Sequence, residues 1–327
     1  MNNTTYITLI GVLILAGIYF VARNNMTPDQ LVDTQEEVTL EEKYLNGTLT
    51  FEDLTWGCPR PDCIPSIDDP VFETVAEADT WMRDEDVVFG LSHQGEFRAY
   101  PQRILNWHEI VNDTVAGDPI AVTFCPLCGS AIAFDRVVDG AVVELGVSGK
   151  LYNSNLVIYD RSPEPSYWQQ ATGQAIVGPA RDRNEEFTRV PIAPTVWADW
   201  KAEHPETLVL SRDTGFSRNY DRYPYGTYEE DGELYFGIAN EDFRLPLKEL
   251  TYGFDVNGVR IAYRASDLTP GTTISDVVDG RSVDIIASSD GTVVMRDIDT
   301  NEEFVPLRGM WFAWAAFHPD TLLYNDE

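Results

Sequence analysis

Residues 311–322 read Trp-Phe-Ala-Trp-Ala-Ala-Phe-His-Pro-Asp-Thr-Leu, and residues 197–208 read Trp-Ala-Asp-Trp-Lys-Ala-Glu-His-Pro-Glu-Thr-Leu. The two stretches share seven identical positions in the same order. Chance does not readily produce that, so the chain contains an internal duplication. A second pairing sets Phe89-Gly90-Leu91, Phe97-Arg98, Pro101 and Leu105 beside Phe236-Gly237-Ile238, Phe243-Arg244, Pro246 and Leu250. Two copies are too few for a solenoid. The expectation is a mainly β (α+β) fold of two degenerate, pseudo-symmetric β-rich halves with a few short helices.

Working outward, Val87–Leu91, Ile120–Phe124, Ala131–Asp135, Val142–Val147 and Leu156–Tyr159 carry the short apolar runs of strands. Asp139-Gly140, Asn257-Gly258, Asp279-Gly280 and Asp290-Gly291 mark tight turns between such runs. Helices are expected at 101–111, 195–204 and 311–318, with Pro101 in a first turn and Pro205 as a stop.

The N-terminal run Tyr6–Ala22 has no charged residue and would form a helix about 26 Å long, enough for a thin bilayer. No basic segment precedes it and no cleavage pattern closes it, so it reads as an uncleaved membrane anchor. The domain expectation is an anchor at 1–23, an acidic stalk at 24–50, a first β-rich repeat at 51–229 and a second at 230–327. Arg23 alone bears on orientation and points the main body inward. The cysteines argue for an extracytoplasmic, oxidising compartment, and that reading is preferred. Asn-x-Thr glycosylation sequons stand at Asn25, Asn46 and Asn112.

Charge narrows the partners. The 327 residues hold 54 Asp and Glu against 23 Lys and Arg, a formal net charge of −31. Only Lys43, Lys150, Lys201 and Lys248 are lysines. Such a surface repels phosphate backbones, which excludes nucleic acid as a partner. Acid spread over the whole chain suits concentrated salt, so a halophilic source is expected. A hydrophobic content of 43% is ample for a packed core and speaks against disorder. There is no P-loop and no dinucleotide glycine signature, so no nucleotide cofactor is expected.

Chemistry concentrates in Thr123-Phe-Cys-Pro-Leu-Cys-Gly129. Two thiolates at this spacing can converge on one soft cation, which gives the first reading of Cys125 and Cys128 as metal ligands. A disulfide and a redox-active dithiol are the other two readings. His108 shares a helix face with Ile104 and Val111 and so points inward. A lone inward histidine is by default a hydrogen-bonded core residue. The second copy, however, keeps the Trp/His-Pro scaffold and has no counterpart of His108, Cys125 or Cys128. By that test His204 and His318 are scaffold, and Cys125, Cys128 and His108 form one candidate centre for copper or zinc. His93 is a further ligand candidate. Two prolines between Cys58 and Cys63 stiffen a short loop and suit a local disulfide. Alternatives to a metal-binding role are a cell-surface scaffold stapled by disulfides and a thiol–disulfide oxidoreductase.

The segments His108-Glu-Ile-Val-Asn-Asp113, Thr123–Gly129, Phe134-Asp-Arg136, Ser148-Gly-Lys-Leu151, Leu156–Arg161, Trp168-Gln-Gln170 and Gly178-Pro179 together resemble the family known as domain of unknown function 3179. The resemblance covers most of 50–325 and implies no assigned activity. Where such chains are typically glycine-rich, this one has Cys58 and Cys63. That departure favours an added local disulfide over a four-cysteine zinc site. Ser162-Pro-Glu-Pro165 is a second departure, replacing what resembles a Thr-x-Ser stretch.

Overall fold

The structure is a computed structural model that describes residues 38–325. The expected anchor at 6–22 and the first part of the stalk lie outside the described residues. Among the described residues no helix is long and apolar enough to cross a membrane. The chain divides into two compact units, residues 1–46 and 47–327. The described part of the first contains the helix Leu40–Leu45, opened by a capping box in which Thr39 and Glu42 satisfy each other's backbone N–H.

The second unit is mainly β with a few short helices. Its five sheets of four or five strands form a propeller-like arrangement, accompanied by a two-stranded ribbon. Two pseudo-symmetric halves are not found, which corrects the expectation from the duplication. What is duplicated is one sheet. In the first copy the strand order is Ala193–Val196, Val87–His93, Glu96–Pro101, Leu208–Leu210, with Phe72–Glu73 added at the edge. In the second it is Leu307–Met310, Leu250–Val256, Val259–Arg264, Leu322–Leu323. Both copies consist of an antiparallel hairpin, a returning antiparallel strand and a last strand pairing in parallel. Both place the tryptophan helix, Trp197–Glu203 or Trp311–Ala315, just after the returning strand.

The hydrogen bonds repeat as well. The amide of Trp197 donates to Asp86 O at 2.8 Å, and that of Trp311 to Glu249 O at 2.7 Å. The indole of Trp200 donates to Thr207 Oγ1 at 3.0 Å, and that of Trp314 to Thr321 Oγ1 at 2.8 Å. Each second tryptophan packs on a glycine of its own hairpin, Gly90 or Gly253. This register corrects the second sequence pairing. The counterpart of Phe89-Gly90-Leu91 is Tyr252-Gly253-Phe254, and Phe236-Gly237-Ile238 belongs to no strand. The mistaken pairing matched side-chain types. The fold selects only the missing Cβ under the indole, and the flanking aromatics are interchangeable.

The copies differ in what they insert between hairpin and returning strand. The first inserts two whole sheets. One is built of Arg189–Val190, Ser130–Asp135, Asp118–Cys125 and Ile110–Val115. The other is built of Leu145–Tyr152, Asn155–Asp160, Tyr167–Gln169 and Ala175–Val177, with Thr55–Trp56, which precedes the hairpin in the chain, added at its edge. The second copy inserts one sheet, Thr272–Val278, Arg281–Ala287, Val293–Asp297 and Glu303–Phe304. Between the copies, residues 211–249 cross without any strand or helix. The turn pairs Asn257-Gly258 and Asp279-Gly280 have positive φ at both residues, as a two-residue hairpin turn requires.

The helix expected at 101–111 is shorter. It spans Gln102–His108 and stops at Glu109, which is left-handed at φ 59°. Ile110 and Val111 then open a strand, where β-branched side chains fit the pleat. Val111 therefore does not share a helix face with His108, although His108 is buried as expected.

Candidate functional site

Cys125 ends the strand Asp118–Cys125 and pairs with Ser130, which begins the next strand. Pro126, Leu127, Cys128 and Gly129 make the loop of this hairpin. The Cys128 amide donates to Cys125 O at 3.0 Å, closing a tight turn with proline at its second position. Gly129 supplies the positive φ of 58° that returns the chain to the strand. The turn brings the two Sγ atoms to 2.8 Å, unbonded to each other, with Cys125 2% and Cys128 0% exposed.

Three parts of the chain hold this loop. Strand Leu307–Met310 presents the Met310 amide to Cys128 O at 2.7 Å. The irregular connector 211–249 lays Tyr228 over it, the phenol donating to Leu127 O at 2.8 Å. The turn between Leu145–Tyr152 and Asn155–Asp160 supplies direct contacts to sulfur. The Cys128 thiol donates to Ser154 O at 3.3 Å, and Asn155 Nδ2 donates to Cys128 Sγ at 3.1 Å.

Asn155 is itself fixed. Its Oδ1 accepts from the Ala171 amide at 3.1 Å, and its Nδ2 also reaches Gln170 Oε1 at 3.1 Å. Gln170 in turn accepts from Ser130 Oγ and donates to Thr123 Oγ1 and Ser130 O. Every member of this network is buried and bonded, so the amide facing Cys128 has one orientation.

The electrostatics disfavour a free thiolate on Cys128 in the closed site. Burial pushes the Cys128 thiol well up, the neighbouring Cys125 adds to this, the Asn155 hydrogen bond opposes it, and the Glu109 charge raises it further. Glu109 is buried at the left-handed helix end. Burial raises its carboxyl to about 7 against an opposing hydrogen bond from Tyr225 at 2.8 Å. Burial raises the phenols of Tyr223, Tyr225 and Tyr228, with the charge of Glu229 adding at Tyr223, that of Glu109 at Tyr225 and those of the cysteines at Tyr228. A non-glycine residue held at positive φ while burying a carboxyl is a costly arrangement of the kind found at functional sites.

His108 is placed otherwise. Its Nδ1 lies 2.8 Å from Pro65 O, which only accepts, so Nδ1 carries the proton. Its Nε2 then accepts from the Tyr220 hydroxyl at 2.7 Å, which is backed by Thr214 Oγ1 at 2.6 Å. Both ring nitrogens are spent, and burial lowers the imidazole to about 4. His93 pairs with Asp118 at 2.7 Å. Among the described residues no group of three or more His, Cys, Asp or Glu is placed to hold a metal ion. The expected three-residue set of Cys125, Cys128 and His108 is thus assembled only as far as the two cysteines. His204 stacks on Phe97 and leans tilted against Trp200, and His318 leans likewise against Trp314, which are scaffold roles. Cys58 and Cys63 are joined in a disulfide.

Glu109, Asn155 and the connector tyrosines were not singled out from the sequence. One signal was present: Tyr220, Tyr223, Tyr225 and Tyr228 fall within nine residues of an otherwise polar stretch.

The profile of the family described as "Protein of unknown function (DUF3179)" matches residues 61–321, so the chain belongs to that family. No curated protein and no solved structure matches the chain.

Proposed function

For this member of the DUF3179 family, whose description assigns no activity, we propose that Cys125 and Cys128 are the functional centre and act as a dithiol–disulfide couple. The observation that carries this is the pair of unbonded sulfurs at 2.8 Å, in a buried turn with an amide donor fixed on one of them. Oxidation would form one S–S bond, pass two electrons to an external disulfide and release its two halves as thiols. The protein is read as a membrane-anchored one whose body lies outside the cytoplasm of a salt-adapted organism. The apolar run 6–22, the Cys58–Cys63 disulfide and the acidic, lysine-poor composition support that setting.

A soft or borderline cation, copper or zinc, held by the same two sulfurs is the second reading. It is favoured by the buried carboxyl of Glu109, whose charge raises the Cys128 thiol and would be offset by a cation at the sulfurs.

A redox titration of the full chain, read by mass after thiol alkylation, tests the first reading. One two-electron transition confined to Cys125 and Cys128 is expected. Cysteines that become reducible only on unfolding would make both pairs structural, as in a surface scaffold. Metal content of protein purified without chelator tests the second, with the Cys125→Ser, Cys128→Ser double variant as control. Equal and negligible metal in both proteins would remove it.

A further inference from the structure

The dithiol is closed on every side, but its covers are not equivalent. The Met310 amide and the Ser154 carbonyl belong to sheet strands and a strand-linked turn. Displacing either would break a ladder of paired strands. The connector 211–249 has no strand pairing at all. Over the site it is fastened by bonds that each involve a side chain: Tyr225 to Glu109, Tyr228 to Leu127 O, Ser154 Oγ to Phe236 O at 2.6 Å and the Ala239 amide to Asn153 Oδ1 at 3.0 Å. Backbone-to-backbone bonds tie it to the sheets only at its ends, Ser211 to Val71 O, and Phe312 and Trp311 to Leu247 O and Glu249 O. Lys248 secures the span from within by bonding Tyr228 O and Asp231 O. Segments with few ladder bonds open at the lowest free energy, so the connector is the side from which the sulfurs become reachable.

Thiol–disulfide exchange adds a geometric demand. Each displacement needs the attacking, central and leaving sulfurs nearly in line. The leaving half of the reactant must therefore lie along the axis of attack. A disulfide flanked by folded backbone cannot follow its sulfur into a gap made by lifting two tyrosine rings. A disulfide carrying only short substituents can.

We propose that the Cys125/Cys128 dithiol exchanges with low-molecular-mass disulfides that enter beneath the Tyr225–Tyr228 arch of the connector, and not with protein disulfides. This rests on reading the pair as a redox couple. One cysteine thiolate attacks a sulfur of R–S–S–R, the R–S–S–R bond breaks and RS⁻ leaves. The other cysteine sulfur attacks the mixed disulfide, forms the Cys125–Cys128 bond and expels the second RS⁻. The two thiol protons end on the two leaving groups, and two electrons have passed from the dithiol to the reactant.

The test uses the reduced full chain with bis(2-hydroxyethyl) disulfide and, separately, with oxidised thioredoxin as the protein disulfide. The small reactant is expected to oxidise the pair more than 10-fold faster, and Tyr228→Phe is expected to raise that rate several-fold while leaving the midpoint potential unchanged. Rates within 10-fold of each other would overturn the small-molecule assignment and leave the redox couple standing. An unchanged small-reactant rate in both Tyr225→Phe and Tyr228→Phe would overturn the route. Wild-type thiols that stay intact with both reactants would defeat the redox reading itself.

Discussion

The indole of Trp200 occupies the space that a side chain on Gly90 would need, and Trp314 stands in the same relation to Gly253. A Cβ at either glycine would lie only 2.3 Å (Gly90) or 2.2 Å (Gly253) from ring atoms of its tryptophan. The ring cannot retreat, because its N–H is tied to Thr207 or Thr321 and both tryptophans are fully buried. Gly90→Ala and Gly253→Ala should each destabilise the fold by about 2–3 kcal/mol through overpacking. Chemical denaturation at fixed salt measures this. A loss below about 0.5 kcal/mol in either variant would mean that the indole is not locked.

The threonines have their own testable share. Thr321→Val keeps the shape and leaves the Trp314 N–H without its acceptor in a buried site. A cost of about 1–2 kcal/mol is expected, with a similar cost for Thr207→Val. Markedly unequal costs would show that the duplication is one of chain path and not of energetics.

Glu109 predicts a pH dependence on the alkaline side. Its carboxyl is raised from 4.5 to about 7 by burial. The neutral form suits the folded state, so the stabilisation is complete below pH 4.5 and is lost as pH rises to about 7. Linkage puts that loss at about 3 kcal/mol, after which the curve levels. Glu109→Gln cannot ionise and should lack this decline, making it the more stable protein at pH 8 relative to its own value at pH 5. Parallel pH profiles for the two proteins would refute the assignment.

His108 and His318 act in the opposite direction. Burial lowers both from 6.5 to about 4, so each is neutral when folded and takes up a proton on unfolding. Stability is whole above pH 6.5 and falls as pH drops towards about 4, by about 3 kcal/mol for each histidine. Between pH 4.5 and 6.5 the Glu109 slope offsets one of them. His108→Gln should flatten the acid limb by one proton, whatever its cost at neutral pH. An acid limb of unchanged slope would show that the ring is not held neutral.

Asn112 will be found without a glycan. It is 3% exposed, with Nδ2 donating to Asp68 Oδ1 and Leu145 O, both at 2.8 Å, so the nitrogen that would carry the sugar is spent in the core. Asn46 is exposed and open to modification. Peptide mapping of the full chain from a glycosylating host checks both, and a glycopeptide spanning Asn112 would contradict the packing.

Much of this protein is written locally. The strand-and-turn rhythm, the Asn-Gly and Asp-Gly reversals, the Trp/His-Pro duplicate and the Cys-Pro-Leu-Cys hairpin loop all depend on residues within a few positions of one another. Backbone sterics and short-range pairing act over that distance, so the sequence alone determined them. The tertiary structure decided which glycine answers to Gly90, because that depends on a ring delivered from far along the chain, Trp200 for Gly90 and Trp314 for Gly253. It also decided the composition of the site. His108 read as inward-pointing by helix phase and as a partner of the cysteines because the second copy lacks all three, but the left-handed turn at Glu109 ended that helix, and Pro65 and Tyr220 took both ring nitrogens. Asn155, Glu109 and the connector tyrosines reach the dithiol only because separate sheets and an irregular crossing converge there. Burial then sets their chemistry: an ordinary glutamate in solution becomes a carboxyl of about 7 only where folding removes its water.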